Sequence, residues 1–308
     1  MDTTDQGDAR IAQLRQLIGA HLNHVGQQIG PDIEIKPGSP GAAEQDNDET
    51  GPGGSWGGEP PHTALSLAKL KLLAAGDHMA SLQKLLEPPL PLFGPMTMAR
   101  ASVEASASVY WHLEPGISVR ERVARSFGDR IRSAEEEAAA LQLLIDEWED
   151  RGQLAALRAE AADLGIEPIR PPGLTSLVGA VMREHTTSLN RGRGVYKYMC
   201  AIAHGTAYAI LQHLREIGES DDPRSRRVEG HVPIEAVEWS VSATLGAHSS
   251  AVDRWLKYCG LDRWAWERWQ AKVGADLHAS NSALRARLAP VGVTPHRPSA
   301  GAAFQSRR

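Results

Sequence analysis

The most informative stretch of the sequence is PMTMARASVEASASVYWH, residues 95–112, which predicts a helix at the centre of the fold. Apolar and small side chains lie on nearly every side of the helix that it predicts, so the helix should be buried on most sides. Its formal charges are Arg100 and Glu104, which are one helical turn apart and can form an ion pair. A buried charge without a partner is prohibitively unfavourable, and a guanidinium has more N–H donors than one carboxylate can accept. We therefore expect other polar groups to converge on this pair.

Two more apolar helices carry inward-facing polar residues. In GVYKYMCAIAHGTAYAILQHLR, residues 194–215, His204 shares an apolar helical face with Cys200 and Tyr208. In AGDHMASL, residues 75–82, His78 shares a face with apolar neighbours. A lone histidine on such a face is commonly a hydrogen-bonded core residue, so each helix by itself indicates packing. The coincidence of the three helices predicts a shared interior polar site.

The predicted site has a catalytic part and a ligand-binding part. Residues suited to proton transfer and to stabilising negative charge are Arg100, Glu104 and His204. Residues expected to contact a ligand are His78, Tyr196, Lys197 and Arg193. The turn NRGRG, residues 190–194, could bind a phosphate, although a glycine-rich helix start with solvated arginines is the simpler interpretation. A purely structural polar network, which fixes how the helices pack, remains an alternative for the whole site.

Composition excludes several classes of protein. The chain has 308 residues and a net charge of -5, which argues against general nucleic-acid affinity. Cys200 and Cys259 are too few for a disulfide framework, and no Cys-x-x-Cys or His-Glu-x-x-His spacing predicts a metal site. No nucleotide-binding fingerprint predicts a cofactor. The N-terminus does not resemble a signal peptide and no apolar stretch is long enough to span a membrane, so we expect a cytoplasmic protein without a membrane partner.

Helical periodicity punctuated by proline and glycine predicts an all-α helical bundle with an additional C-terminal helix pair and a disordered acidic insert. The tryptophans Trp255, Trp264, Trp266 and Trp269 should pack the C-terminal helices onto the bundle. The expected organisation is an N-terminal helix at 1–29, a disordered linker at 30–62, the bundle at 63–217, C-terminal helices at 218–290 and a disordered tail at 291–308.

Three segments of the bundle carry a family resemblance. KLLAAGDHMASLQKLL, PMTMARASVEASASVYWHLEPGISVRERVARSF and YKYMCAIAHG, in this order, resemble an uncharacterised family of actinobacterial helical proteins. That family looks distantly similar to the HEPN-like superfamily, and the resemblance covers roughly residues 63–217. It implies an all-α bundle, commonly a homodimer, among RNA-cleaving toxins and antiphage proteins.

The HEPN-like resemblance also implies an arginine four to six residues before the active-site histidine. His204 matches the histidine, but the nearest upstream basic residues are Lys197, with six residues between, and Arg193, with ten. A lysine is a hydrated point charge and does not replace the planar guanidinium fork at a scissile phosphate. Arg100 of the neighbouring helix could supply a guanidinium in space.

Three functions follow as hypotheses. The favoured one is a helical-bundle protein, non-enzymatic or cryptically active, whose Arg/Glu/His cluster recognises an anionic group in stress or defence. The enzymatic alternative is a metal-independent HEPN-type ribonuclease acting on RNA, with His204 as general acid and base. The third is a metal site built from His78, Glu104 and His204 on facing helices.

Overall fold

A computed structural model describes residues 3–46, 59–144, 152–184, 189–219, 226–272 and 274, and these residues are mostly helical. The helices are α1 (Thr3–Gln28), α2 (Pro40–Asp46), α3 (Glu59–Leu85), α4 (Gly94–His112), α5 (Val119–Leu144), α6 (Gln153–Asp163), α7 (Leu174–Val181), α8 (Leu189–Ala203), α9 (Ala207–Leu211), α10 (Ile234–Cys259) and α11 (residues 264–272). A 3-10 turn, Met182–Glu184, continues α7. Two short strands, β1 (Leu214–Glu219) and β2 (Arg226–Gly230), pair antiparallel.

Helix α4 is the centre of the bundle, as the apolar sequence of residues 95–112 predicts. It packs against α3 and α10 along its length and against α7 and α8 over part of it. Met96, Ala99, Val103 and Ala107 of α4 are fully buried because small and apolar side chains let neighbouring helices approach closely. The all-α prediction is therefore confirmed at the level of a helical bundle.

The long C-terminal helix α10 belongs to the core of the bundle. Its apolar residues pack against α4 in the main core and, with Trp255, against α3 in a second core. Trp266 of α11 is buried in that second core, and Trp269 packs against it. Trp264, by contrast, is 63% exposed, so the expectation that all four tryptophans pack onto the bundle is wrong for this residue.

The segment from Gly30 to Asp46, predicted as part of a disordered linker, packs on the bundle. The backbone N–H of Lys36 donates to the carbonyl of Cys259 at 2.9 Å, and Lys69 Nζ donates to the carbonyl of Gly30 at 3.0 Å. Residues 40–46 form α2, and α3 begins at Glu59 rather than at residue 63. The rest of the acidic insert, residues 47–58, and the predicted tail at 291–308 lie outside the described residues.

The predicted helix through residues 194–217 is interrupted. Gly205 adopts φ +63°, and Thr206 N donates to the carbonyl of Ala201, an arrangement that ends a helix. Short α9 follows, and the chain then forms β1 and its antiparallel partner β2. Strand structure, which the sequence pattern did not reveal, therefore occupies the connection between α9 and α10.

Helix α5 buries charged residues that the sequence pattern predicts to be exposed to solvent. Arg122, Arg125 and Asp129 are all buried, although the segment Ser118 to Asp150 reads as a helix with an exposed charged surface. Residues 145–151 of that segment lie outside the described part of the chain. None of the described helices is long and apolar enough to cross a membrane.

Candidate functional site

Arg100, Glu104 and Tyr196 form a hydrogen-bonded group where α4 meets α8. The Arg100 Nε atom donates to Glu104 Oε1 at 2.6 Å, and the Tyr196 hydroxyl donates to the same oxygen at 2.8 Å. The pairing of Arg100 with Glu104 follows from their spacing of one helical turn, because such residues are neighbours on the helix surface. Tyr196 is buried, whereas the Arg100 and Glu104 side chains are 21% and 22% exposed. The ion pair thus lies at the wall of the bundle, partly exposed, on a helix that is buried on most sides.

His204 lies beside Arg100, as the sequence predicts, but on the outer surface. Arg100 Nη1 is 3.3 Å from His204 Nε2, and since a guanidinium has no acceptor, the imidazole nitrogen is the acceptor of this long hydrogen bond. The His204 side chain is exposed, so the expectation that it points into an apolar interior is wrong. The reason is that α8 ends at Ala203, and Tyr208 therefore does not continue the helical face of Cys200.

The environment fixes the protonation states of Arg100 and Tyr196. Burial by itself lowers the pKa of Arg100, but the hydrogen bond from Arg100 to Glu104 and the carboxylate charge outweigh burial and raise the pKa above its ordinary value. Burial, the hydrogen bond to Glu104 and contact with Cys200 raise the pKa of Tyr196. Arg100 is therefore a permanent cation, and Tyr196 is a hydroxyl donor that helps to hold Glu104 in place.

The predicted ligand-binding residues divide into one that joins the site and three that do not. Tyr196 joins it through Glu104. His78 is half-buried and makes no hydrogen bond to the other site residues that the structure describes. Lys197 is exposed on α8, and Arg193 packs over Gly179 of α7, where an added Cβ atom would lie 2.8 Å from Arg193 Nε. The side chain of Arg191 lies outside the described residues.

The proposed metal site is not formed. Within the described part of the chain, no three His, Cys, Asp or Glu side chains lie close enough to hold a metal ion. His78, Glu104 and His204 therefore do not make a metal centre, and the guanidinium of Arg100 beside His204 would also repel a cation.

A second polar network, which sequence reasoning missed, connects three helices inside the bundle. His112 Nε2 lies 2.9 Å from Asp129 Oδ2, and Lys71 Nζ lies 2.7 Å from the same oxygen. Burial opposes ionisation of Asp129, but the hydrogen bond from His112 and the charge of Lys71 lower its pKa to about 2. His112 lies at the C-terminal end of its helix and Asp129 lies in a charge-rich helix, so the sequence pattern at neither position indicates a buried polar contact. His112 and Asp129 are buried, Lys71 is partly exposed, and the three side chains connect α3, α4 and α5.

The fold and the site define an all-α bundle protein with a half-buried Arg–Glu–Tyr group and an exposed histidine at its edge. No protein-family model, curated protein or solved structure matches the chain. The resemblance to actinobacterial helical proteins and to the HEPN-like superfamily therefore stays a prediction.

Proposed function

We propose that the protein binds an anionic group, such as a phosphate, at the free N–H donors of Arg100, beside His204. The observation that carries this proposal is the position of the guanidinium. Glu104 holds Arg100 through Nε, while Nη1 faces the exposed imidazole and Nη2 has no hydrogen-bond partner among the described residues. A guanidinium fixed on one edge, with donors free on the other, is suited to oxyanions, because its planar N–H pairs match their geometry.

The surrounding charges fit one anionic group better than an extended polyanion. Glu104 neutralises part of the charge of Arg100, and exposed Lys197 lies on α8 two helical turns before His204. The net charge of the whole chain is -5, which disfavours non-specific binding to a nucleic-acid backbone. Recognition of a single phosphate, free or at the end of a larger molecule, agrees with both observations.

Isothermal titration calorimetry with inorganic phosphate at low ionic strength tests the proposal. We expect a dissociation constant on the order of 1 mM, since few groups contact the anion. Arg100→Gln should weaken binding by at least about tenfold, the effect of losing one charged hydrogen bond. Arg132→Gln is the matched control. Arg132 Nε forms the same kind of i,i+4 pair with Glu136, at 2.7 Å on the solvent-facing side of α5, but has no histidine partner in the structure described. Equal affinities for the two variants, or no binding to the wild type, would refute the proposal.

A second candidate function, metal-independent RNA cleavage, is favoured by the 3.3 Å distance between Arg100 Nη1 and His204 Nε2. In this second proposal, Arg100 of the neighbouring helix α4 would take the role of the arginine that the HEPN-like pattern requires near the histidine. His204 Nε2 would accept the proton of a 2′-hydroxyl as its oxygen attacks the adjacent phosphorus and the bond from phosphorus to the 5′-oxygen breaks. The imidazolium would return this proton to the departing 5′-oxygen, leaving a 2′,3′-cyclic phosphate, while Arg100 would stabilise the charge that develops on the phosphate oxygens.

Incubation of purified protein with a short single-stranded RNA distinguishes cleavage from binding. Cleavage products that disappear in His204→Ala but persist in His231→Ala would support the enzymatic function, since His231 is an exposed histidine away from the Arg100 group. Intact RNA at high protein concentration would eliminate it and would leave anion binding as the function.

A further inference from the structure

A cleft of about 430 Å³ lies between α4, α7 and α10, at the end of α4 opposite Arg100. This volume is within the range of small-molecule sites, roughly 300–1,000 Å³. Trp111 and Leu177 give the cleft an apolar wall, and Arg183 and Arg254 bring two guanidinium groups to its lining. The cleft is therefore a second place where a charged group and an apolar surface meet.

The carboxylate of Glu184 in this cleft is held in place from two sides. The Tyr110 hydroxyl donates to Glu184 Oε1 at 2.5 Å, and the Ser250 hydroxyl donates to Oε2 at 2.7 Å. Burial and the hydrogen bond to Glu184 raise the pKa of Tyr110 to about 12, so its hydroxyl stays protonated and remains a donor. Glu184 is thus fixed by neutral donors rather than by a cation.

Arg254 is the more buried of the two cations in this cleft. Its guanidinium lies over the Tyr110 ring, 3.1 Å from the ring centroid, and Nη1 donates to the Tyr110 carbonyl. Among the residues described, no carboxylate lies within 4.0 Å of it. Burial lowers the pKa of Arg254, and the interactions with Tyr110 and the more distant charges of Glu184 and Glu114 offset only part of that effect. An arriving anion would supply the missing compensation.

The charges of the cleft lining balance formally but are unevenly engaged. Arg183 and Arg254 stand against two carboxylates, Glu114 and Glu184, so the lining has no net charge. Glu114 is paired with Arg125 Nη1 at 2.7 Å, and Glu184 accepts hydrogen bonds from two hydroxyl groups. Arg183 is exposed and forms no ion pair with any residue that the structure describes, so both guanidinium groups of the lining keep N–H donors that an anion could use.

We infer that this cleft binds a small organic anion, with its carboxylate or phosphate on Arg254 and Arg183 and its apolar or aromatic body against Trp111 and Leu177. A carboxylate ligand and a phosphate ligand both carry anionic oxygens attached to an apolar group. A guanidinium can donate paired hydrogen bonds to either anionic group, and the apolar wall fits both ligands. The inference is independent of the site proposed at Arg100, because it rests on different residues at the other end of α4.

Ligand-detected ¹⁹F NMR with 4-fluorobenzoate tests this site, with 4-fluorobenzamide as the uncharged probe of the same shape. We expect saturable broadening of the benzoate signal with a dissociation constant on the order of 1 mM, and at least about tenfold weaker binding of the benzamide. Competition by phenyl phosphate and by benzoate then shows which anionic group the cleft prefers. Saturable binding by neither anion, or equal binding of the benzamide, overturns the inference.

Two arginine variants locate the bound anion. Arg254→Gln should weaken 4-fluorobenzoate binding by about tenfold or more, and Arg183→Gln, which changes an exposed side chain and leaves the fold intact, by at least about threefold. Arg268→Gln should leave the affinity unchanged, because Arg268 is also a cation over an aromatic ring, 4.2 Å from the centroid of Trp264, but lies outside the cleft. Wild-type affinity in both Arg254→Gln and Arg183→Gln would contradict the assignment.

Discussion

At the scale of single residues, the pairing of Arg100 with Glu104 follows from the local sequence, whereas the exposure of His204 does not. Arg100 and Glu104 are one helical turn apart on an apolar helix, and this spacing predicts their pairing in any fold that keeps the helix. The exposure of His204 depends on where α8 stops. Gly205 ends that helix with a positive φ, and a helical-face argument that runs past it assigns the wrong environment to the histidine.

Tyr196 links the site to the stability of the bundle, and Tyr196→Phe tests that link. Removing the hydroxyl leaves Glu104 with Arg100 as its remaining partner, so we expect a loss of about 1 kcal/mol in the free energy of unfolding, measured with urea. Tyr198→Phe is the control on the same helix. Its hydroxyl contacts His213 at 3.4 Å, near the limit of a hydrogen bond, and its removal should cost less. Equal losses would mean that the bond to Glu104 contributes little.

At the scale of secondary-structure elements, periodicity predicts the long helices and fails at their connections. The apolar pattern of residues 95–112 identifies α4, and α10 begins directly after the proline that punctuates its sequence. The pair of strands β1 and β2 has no such pattern, because its apolar residues Ile217 and Val228 are exposed. Pairing between the two strands, rather than burial, defines these elements.

A buried histidine pair joins the N-terminal helix to α10. His21 Nε2 lies 2.8 Å from His248 Nδ1, and Trp269 Nε1 of α11 donates to His21 Nδ1 at 3.2 Å. With Nδ1 of His21 accepting from Trp269, Nε2 carries its proton and donates to His248, so both rings are neutral. Burial lowers the pKa of His21, with further lowering by His248 and His24, and burial lowers the pKa of His248 to about 4.

This pair makes the stability of the protein depend on pH. In the unfolded chain both histidines titrate near about pH 6.5, so at lower pH the unfolded state binds more protons than the folded state. The contribution of the pair is complete above about pH 6.5 and falls toward about pH 4, by up to about 1.4 kcal/mol per pH unit for each histidine. Urea unfolding at a series of pH values across this window measures the slope.

His248→Asn should reduce that slope, since the amide oxygen can still accept from His21 but does not titrate in this range. His62→Asn removes an exposed histidine of α3 and should keep the wild-type slope. A wild-type slope in His248→Asn would show that the buried pair does not set the pH dependence.

At the scale of the whole molecule, the prediction from sequence fails most clearly for residues 30–46, the first part of the predicted linker. Low apolar content predicts that residues 30–46 remain disordered, because little hydrophobic burial offsets the ordering entropy. The structure orders this segment by packing Ile33 and Ile35 against the second core and by polar contacts with distant helices. Glu44 of α2 accepts from Arg122 Nε and Nη2, both at 2.9 Å, and from the Tyr258 hydroxyl at 2.8 Å. These partners come from α5 and α10, so no local pattern could reveal them.

Glu44→Ala tests whether this contact holds three parts of the chain together. Arg122 is 3% exposed, and loss of its carboxylate leaves a buried charge with only carbonyl acceptors, which should cost about 3–5 kcal/mol in the free energy of unfolding. Glu136→Ala, which breaks the exposed pair with Arg132, should cost at most about 1 kcal/mol. Chemical denaturation of the two variants gives the comparison, and similar small losses would show that α2 contributes little to the assembled bundle.

Anion binding by Arg100 and His204 at the edge of the bundle is the proposal on which the function rests. Anomalous diffraction from crystals soaked in selenate, an oxyanion that selenium makes directly visible, tests it. We expect a selenium peak within contact distance of the Arg100 guanidinium and the His204 imidazole, absent in Arg100→Gln crystals. Selenium peaks confined to other parts of the surface, with none beside these two side chains, would contradict it.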